Sequence, residues 1–242
     1  MRCKFLDNKK LLIDICSDMG FYIDDFICDK FFKYKELLIE WNKKFNLTAI
    51  TDEKEIIIKH FIDSIFSLKG IEFKNTEKVI DVGTGAGFPG LPIKIMRPDI
   101  SLVLMDSLLK RINFLQSVVD ELKLEKVLCV HSRAEDAARE DDFRESFDIC
   151  LSRAVAYLPS LLEFTLPFVK IGGYFIALKG SDIDEEIEQS NTALSVLGGR
   201  IKNIVEYDIL DIKHKLIIVE KISNTPLKYP RRAGKINKNF IK

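Results

Sequence analysis

Residues 79–90, Val79-Ile80-Asp81-Val82-Gly83-Thr84-Gly85-Ala86-Gly87-Phe88-Pro89-Gly90, carry an apolar run of strand character into a glycine-dense turn. An apolar segment of helical type follows at once. Glycines in such a turn reach positive φ cheaply and leave no Cβ between the backbone and a ligand. The helix that opens there presents free N–H groups and a partial positive charge to the same point. Strand, bare turn and helix N-terminus in this order make a cradle for a nucleotide-like ligand. A tight turn with no ligand would also select glycine, so the stretch restricts the fold more firmly than it assigns a function.

The same alternation continues through the rest of the chain. Short apolar runs at 79–82, 102–105, 127–130, 147–151 and 174–178 are separated by helical stretches. Leu108, Ile112, Leu115, Val119 and Leu122 mark one clear helix between the second and third runs. Runs this apolar suit strands covered on both faces, hence a parallel sheet built from βαβ units. Two further strand-like runs, 201–209 and 215–221, are joined by a few turn residues. That connection is too short for a parallel crossover and predicts an antiparallel hairpin.

Residues 1–75 read as an N-terminal helical cap. Phe31, Tyr34, Leu38, Trp41 and Phe45 form one apolar helical stripe. Ile57, Phe61, Ile65 and Leu68 form another, after a capping start at Thr51-Asp52-Glu53. These aromatics read as core. The sheet domain is expected over 76–222. The last segment, 223–242, is a basic tail packed on or near the site. Seven Lys and Arg and no acid occur from Lys221 to Lys242. With Tyr229, two prolines and the Arg231-Arg232 pair, this segment is a candidate phosphate-binding element.

Whole-molecule charge points to no partner, because 37 basic residues balance 37 acidic ones. Acids at Asp7, Asp14 and Asp18 interrupt the first apolar pattern, which argues against a secretory signal. No apolar run is long enough to span a membrane. The five scattered cysteines, Cys3, Cys16, Cys28, Cys129 and Cys150, suit free thiols in a reducing cytoplasm. The equally scattered His60, His131 and His214 offer no metal site. A cytoplasmic monomer without metal or membrane contact is the expectation.

The ligand class needs more than the turn. Gly85 to Gly90 fit the dinucleotide pattern G-x-G-x-x-G, whereas reading from Asp81 gives D-x-G-x-G-x-G, the first motif of S-adenosylmethionine-dependent methyltransferases. Asp106, 23 residues after Gly83, stands where a carboxylate accepts from ribose hydroxyls of either ligand. Five parallel strands ending in a hairpin are the usual methyltransferase arrangement, and dinucleotide folds usually keep a parallel sixth strand. Arg133-Ala134-Glu135-Asp136 follows the third strand and is a candidate adenine-reading loop. Ser152-Arg153-Ala154 follows the fourth, where Arg153 is placed to hold a carboxylate or phosphate by a bidentate contact. Neither Asn-Pro-Pro-Tyr, for amino-group methylation, nor Pro-Cys, for attack on a pyrimidine ring, is present.

Together these segments resemble one family, the glucose-inhibited division protein B family (GidB, also RsmG), bacterial 16S ribosomal RNA guanine-N7 methyltransferases. The resemblance runs from Glu40-Trp41-Asn42-Lys43-Lys44-Phe45-Asn46-Leu47-Thr48 and His60-Phe61-Ile62-Asp63-Ser64 through the glycine turn, Asp106-Ser107, Lys110-Arg111, Arg133-Ala134-Glu135, Ser152-Arg153-Ala154 and Lys179-Gly180. It ends at Thr225-Pro226-Leu227-Lys228-Tyr229-Pro230-Arg231-Arg232-Ala233-Gly234, after which Ile236 and Asn237 depart from the family pattern. It implies a Rossmann-like α/β methyltransferase fold with a mostly parallel seven-stranded sheet, and S-adenosyl-L-methionine as cofactor. It implies 16S rRNA or the small ribosomal subunit as partner.

The cofactor set expected is Asp81, Gly83, Gly85, Gly87, Phe88, Asp106, Ala134, Glu135 and Arg153, with Arg153 also positioning the reaction. Lys228, Tyr229, Arg231 and Arg232 are the expected RNA contacts. Guanine N7 carries its lone pair at neutral pH, so the absence of an acid/base dyad suits that acceptor. The alternatives are an NAD-dependent oxidoreductase, disfavoured by Asp81 and the hairpin, and a non-catalytic RNA- or nucleoside-binding module.

Overall fold

The computed structural model describes residues 2–74, 77–153, 156–210, 212–236 and 238–241. The cap opens with α1 (Arg2–Asp18) and α2 (Asp25–Phe45). Asp24 caps α2 by accepting from Ile27 N at 2.7 Å, and Asn46 ends it in the left-handed region at φ 48°. Phe31, Tyr34 and Leu38 of the expected stripe are fully buried, whereas Phe45 reaches the surface.

Asp52 caps the next helix through Lys54 N and Glu55 N, as its position predicts. The backbone runs through α3 (Glu53–Ile56), a π-helical stretch (Ile57–Ile62) and α4 (Asp63–Phe66). The regular stripe gave no sign of the π turn. Such turns collect at functional sites, and this one carries His60.

The sheet has seven strands: β1 (Lys78–Val82), β2 (Ser101–Asp106), β3 (Val127–His131), β4 (Phe147–Arg153), β5 (Val169–Gly180), β6 (Gly199–Ile209) and β7 (Ile212–Lys221). Their spatial order is β3-β2-β1-β4-β5-β7-β6. The first five pair in parallel, and β7 runs antiparallel to both β5 and β6. This is the Rossmann-like methyltransferase order with its terminal hairpin. Between strands lie α5 (Gly90–Met96), α6 (Leu109–Glu121), α7 (Ala134–Ala137), α8 (Leu158–Thr165), α9 (Asp184–Glu188) and α10 (Asn191–Leu197), with α11 (Ala233–Ile236) in the tail. Because β1 to β4 are parallel and in step, Val82, Asp106, His131 and Arg153 end on one edge. The ligand crevice of such a sheet lies outside that edge.

Two buried clusters cover the two faces. One joins α1, α2 and the α3–α4 segment to α5, α6 and one sheet face, including Leu104, Leu151 and Leu216. The other packs α8 and α10 on the opposite face and takes in Ile241 of the tail. Tyr34 links cap to sheet: its ring stacks on Phe61 and Phe88 at 5.4 Å each, and its hydroxyl donates to the Ala86 carbonyl. Aromatic pairs of this kind add about 0.5–1.5 kcal/mol each beyond area burial.

The tail is fixed by contacts. Arg144 donates to the carbonyls of Thr225 and Tyr229, and Ile236 is fully buried. Lys221, counted with the basic tail, lies inside the fold. Its ammonium donates to the Leu166 carbonyl and Thr225 Oγ1 at 2.7 Å each, and burial pulls its pKa down to about 8. Among the described residues no helix is long and apolar enough to cross a membrane. Cys16, Cys28, Cys129 and Cys150 are free thiols.

Candidate functional site

The glycine turn, the β2 end, the loop after β3 and the β4 end meet the cap around a cavity of about 560 Å³. Gly83, Gly85, Phe88, Asp106, Ala134, Glu135 and Arg153 all line it, as do Leu47, Thr48 and His60 from the cap. Gly85 sits at φ 63°, and a Cβ added there meets only the Gly83 carbonyl, at 4.0 Å. The cavity therefore begins where that side chain would be.

Asp106 closes one end. It is 2% exposed and accepts from Gly85 N at 3.0 Å, Leu108 N at 2.9 Å and Arg111 Nη1 at 3.0 Å. One carboxylate thus holds the glycine turn, the start of α6 and an arginine of the cavity wall. Arg111 Nε is buried and has no partner among the described residues. An unpaired buried donor beside a cavity is what a polar ligand would satisfy.

Arg153 and the cap form the other end. Its Nη1 donates to the Lys59 carbonyl at 2.9 Å and to Asp63 Oδ2 at 3.1 Å, and its guanidinium stands 5.0 Å from the Phe88 ring centre. Its Nη2 lies 3.0 Å from His60 Nδ1. A guanidinium only donates, so His60 Nδ1 accepts. The ring proton then sits on Nε2, 3.0 Å from Thr48 Oγ1. The 3.2 Å approach of Nδ1 to the Lys59 carbonyl is not a hydrogen bond in that tautomer. Burial, reinforced by Arg153, drives the His60 pKa down to about 3. The ring is neutral at physiological pH and stacks on Phe88 at 4.4 Å. Asp63, behind it, also accepts from Tyr207 Oη at 2.7 Å, and His214 Nδ1 lies 3.4 Å away.

Two residues of the expected cofactor set, Asp81 and Gly87, do not line the cavity. Asp81 is fully buried behind the turn, accepting from Thr84 Oγ1 at 2.7 Å and Gly90 N at 2.8 Å. Burial raises its pKa to about 6 against those hydrogen bonds. It shapes the turn from beneath. A Cβ on Gly87 would come within 2.5 Å of Leu91 Cδ1 and Tyr34 Oη. That glycine admits the cap against the turn and does not border the cavity.

Arg231, an expected RNA contact, is engaged within the fold. Its Nε and Nη2 grip both oxygens of Glu163, which is fully buried, and Nη2 also donates to the Asn239 carbonyl. This fork anchors the tail. Lys228 and Arg232 remain exposed, and Tyr229 is half-buried. Ala154, in the expected motif after β4, and Asn237 lie outside the described residues. Thr48, His60, Asp63 and Arg111 lie in segments that carry the family resemblance, but the sequence assigned none of them a role in the site. The available signal was His60 and Asp63, three apart among the apolar residues Ile57, Ile58, Phe61, Ile62 and Ile65.

A family model described as GidB, rRNA small subunit methyltransferase G, matches residues 27–214. The chain is 49% identical over 237 residues to Ribosomal RNA small subunit methyltransferase G of Clostridium kluyveri, covering 98% of this chain and 100% of that protein. It is 53% identical over 234 residues to the protein of the same name from Clostridium perfringens strain 13 / Type A, covering 96% and 98%. Precorrin-6y C5,15-methyltransferase from Geobacter metallireducens GS-15 shares the fold, with TM-score 0.51 and 12% identity over 66% of this chain and 87% of that one.

Proposed function

This chain belongs to the GidB family, rRNA small subunit methyltransferase G, and we propose that it methylates N7 of a guanine in 16S rRNA, in the cytoplasm, with S-adenosyl-L-methionine as donor. The observation that carries this reading is the continuity of the cavity wall. A bare glycine turn, the Asp106 carboxylate and the Ala134-Glu135 loop lie along one side, and the neutral His60 and Arg153 stand at the end.

S-adenosylmethionine would supply an electrophilic methyl group on a sulfonium. In this reading Asp106 accepts from ribose hydroxyls, and the Ala134-Glu135 segment meets the adenine edge. Gly83, Gly85 and Phe88 border the methionine portion. Arg153, held by Asp63 and His60, orients the carboxylate or the incoming RNA. No proton has to leave guanine N7, so the site's work is alignment. Orientation alone can supply on the order of 7–11 kcal/mol of barrier lowering. A neutral His60 fits such a site, because it adds no positive charge beside a sulfonium.

The test is to incubate the protein with undermethylated small subunits and labelled S-adenosylmethionine, digest the RNA and separate the nucleosides. The expected label is in 7-methylguanosine. Label in any other nucleoside, or none in RNA, contradicts the reading.

A further inference from the structure

A second cavity, of about 830 Å³, opens beside the first and shares His60, Arg153 and Ala156 with it. Its wall carries an ion pair that the cofactor reading leaves unused. Lys179, at the end of β5, donates from Nζ to the Ala156 carbonyl at 2.8 Å and to Glu186 Oε2 at 2.6 Å. The pair is largely buried, with 9% of the Lys179 side chain and 17% of Glu186 exposed. Glu186 Oε2 accepts from Leu158 N as well, at 2.6 Å. An ammonium has three protons, and two are used. One lysine proton and Glu186 Oε1 are left without a partner among the described residues, and both residues line the cavity.

Resting on the methyltransferase reading above, we propose that this second cavity receives the acceptor guanine, with Lys179 donating to O6 and Glu186 accepting from N1–H. N7 must face the wall shared with the donor cavity. Around the purine O6 follows N7, and N1 follows O6. In the protein, Lys179 contacts Ala156 of the shared wall and Glu186 contacts Lys179, so the order of contacts follows the order of the purine atoms. Adenine in the same orientation would turn its N6 amino donor toward an ammonium, which only donates.

The charge flow is also served. The N7 lone pair forms the new bond to the methyl carbon, and the electrons of the breaking S–C bond stay on sulfur. The positive charge passes to the purine ring, and no proton moves. The Glu186 carboxylate at N1–H faces that charge as it develops, which is where preorganised electrostatics act.

The test compares guanine with 2-aminopurine, which keeps N7 but lacks both O6 and N1–H. The methylated position is first mapped with wild type on 16S rRNA. Two RNAs are then made with guanine or 2-aminopurine there. Their affinities are measured for the wild type, Lys179→Met and Glu186→Gln proteins, each loaded with S-adenosylhomocysteine. Wild type should prefer the guanine RNA by about tenfold or more, the usual scale of hydrogen bonds to charged groups. Both variants should prefer it by less than about threefold and keep wild-type affinity for S-adenosylhomocysteine. A structural ion pair would destabilise the variants without touching this ratio. Equal wild-type affinity for the two RNAs, or a ratio unchanged in the variants, overturns the proposal. A wild type that methylates no RNA defeats the methyltransferase reading instead.

Discussion

Arg153 Nη1 lies 3.1 Å from Asp63 Oδ2, so the arginine that ends β4 is held by an aspartate of the N-terminal cap. The pair is largely buried, with 16% and 5% of the side chains exposed. It joins the sheet edge to the segment that carries His60. Removing one partner of a buried pair leaves the other charge uncompensated. Asp63→Ala is therefore expected to lower unfolding stability by about 2–4 kcal/mol and to weaken cofactor binding through a loosened Arg153. Chemical denaturation and calorimetry on the same protein check it. A stability change below about 0.5 kcal/mol would mean that the pair behaves as a surface contact.

His60 makes stability sensitive to acid in a defined window. Its folded pKa of about 3 lies below its ordinary value of 6.5. Between those values the unfolded chain binds a proton that the folded chain does not, so stability falls as pH drops from about 6.5 toward 3. The full slope approaches 1.4 kcal/mol per pH unit. Asp81, raised to about 6, acts in the opposite direction between its ordinary 3.8 and 6. The informative quantity is thus the difference between wild type and His60→Gln. That difference should change steadily from pH 6.5 to 4.5, measured by urea unfolding. A pH-independent difference would show that His60 takes up a proton in the folded protein.

The fold was legible because its signals are local. Short, mostly apolar runs predicted the strands, and a short connection predicted the hairpin; both stand in the structure. Boundaries moved where pairing decided them: β5 begins at Val169 because that residue pairs with Phe147, and β7 begins at Ile212 because it pairs with Ile209. The site was legible along the glycine turn, Asp106 and the loops after β3 and β4, whose positions follow from the strand ends. His60, Asp63, Tyr207 and His214 were not, since their meeting depends on how the cap packs against the hairpin. The placement of Asp81, Gly87 and Arg231 away from the cavity wall has one cause. A motif records that a residue matters, and only packing shows whether it faces the cavity or the core.

The two tail arginines should separate cleanly. Arg231→Ala strips Glu163, fully buried, of its charged partner. It should cost about 3 kcal/mol of stability whether or not RNA is present. Arg232→Ala, at an exposed position, should leave stability unchanged. If Arg232 meets a phosphate, its loss should reduce the slope of log affinity against log salt by about 0.7–0.9. Thermal unfolding and RNA titrations at several salt concentrations distinguish them. Equal melting temperatures for the two variants would contradict the anchoring role.

The cavity over Gly85 is the centre of the account, and a side chain there tests it most directly. The backbone at Gly85 is left-handed, so Gly85→Val carries local strain of about 1–2 kcal/mol and should remain folded. Its Cβ would enter the cavity with no protein atom nearer than the Gly83 carbonyl at 4.0 Å. Calorimetric titration with S-adenosylhomocysteine should show one site per chain in wild type and no measurable binding in a folded Gly85→Val protein. Unchanged affinity in the variant would contradict the assignment of this cavity as the cofactor cradle.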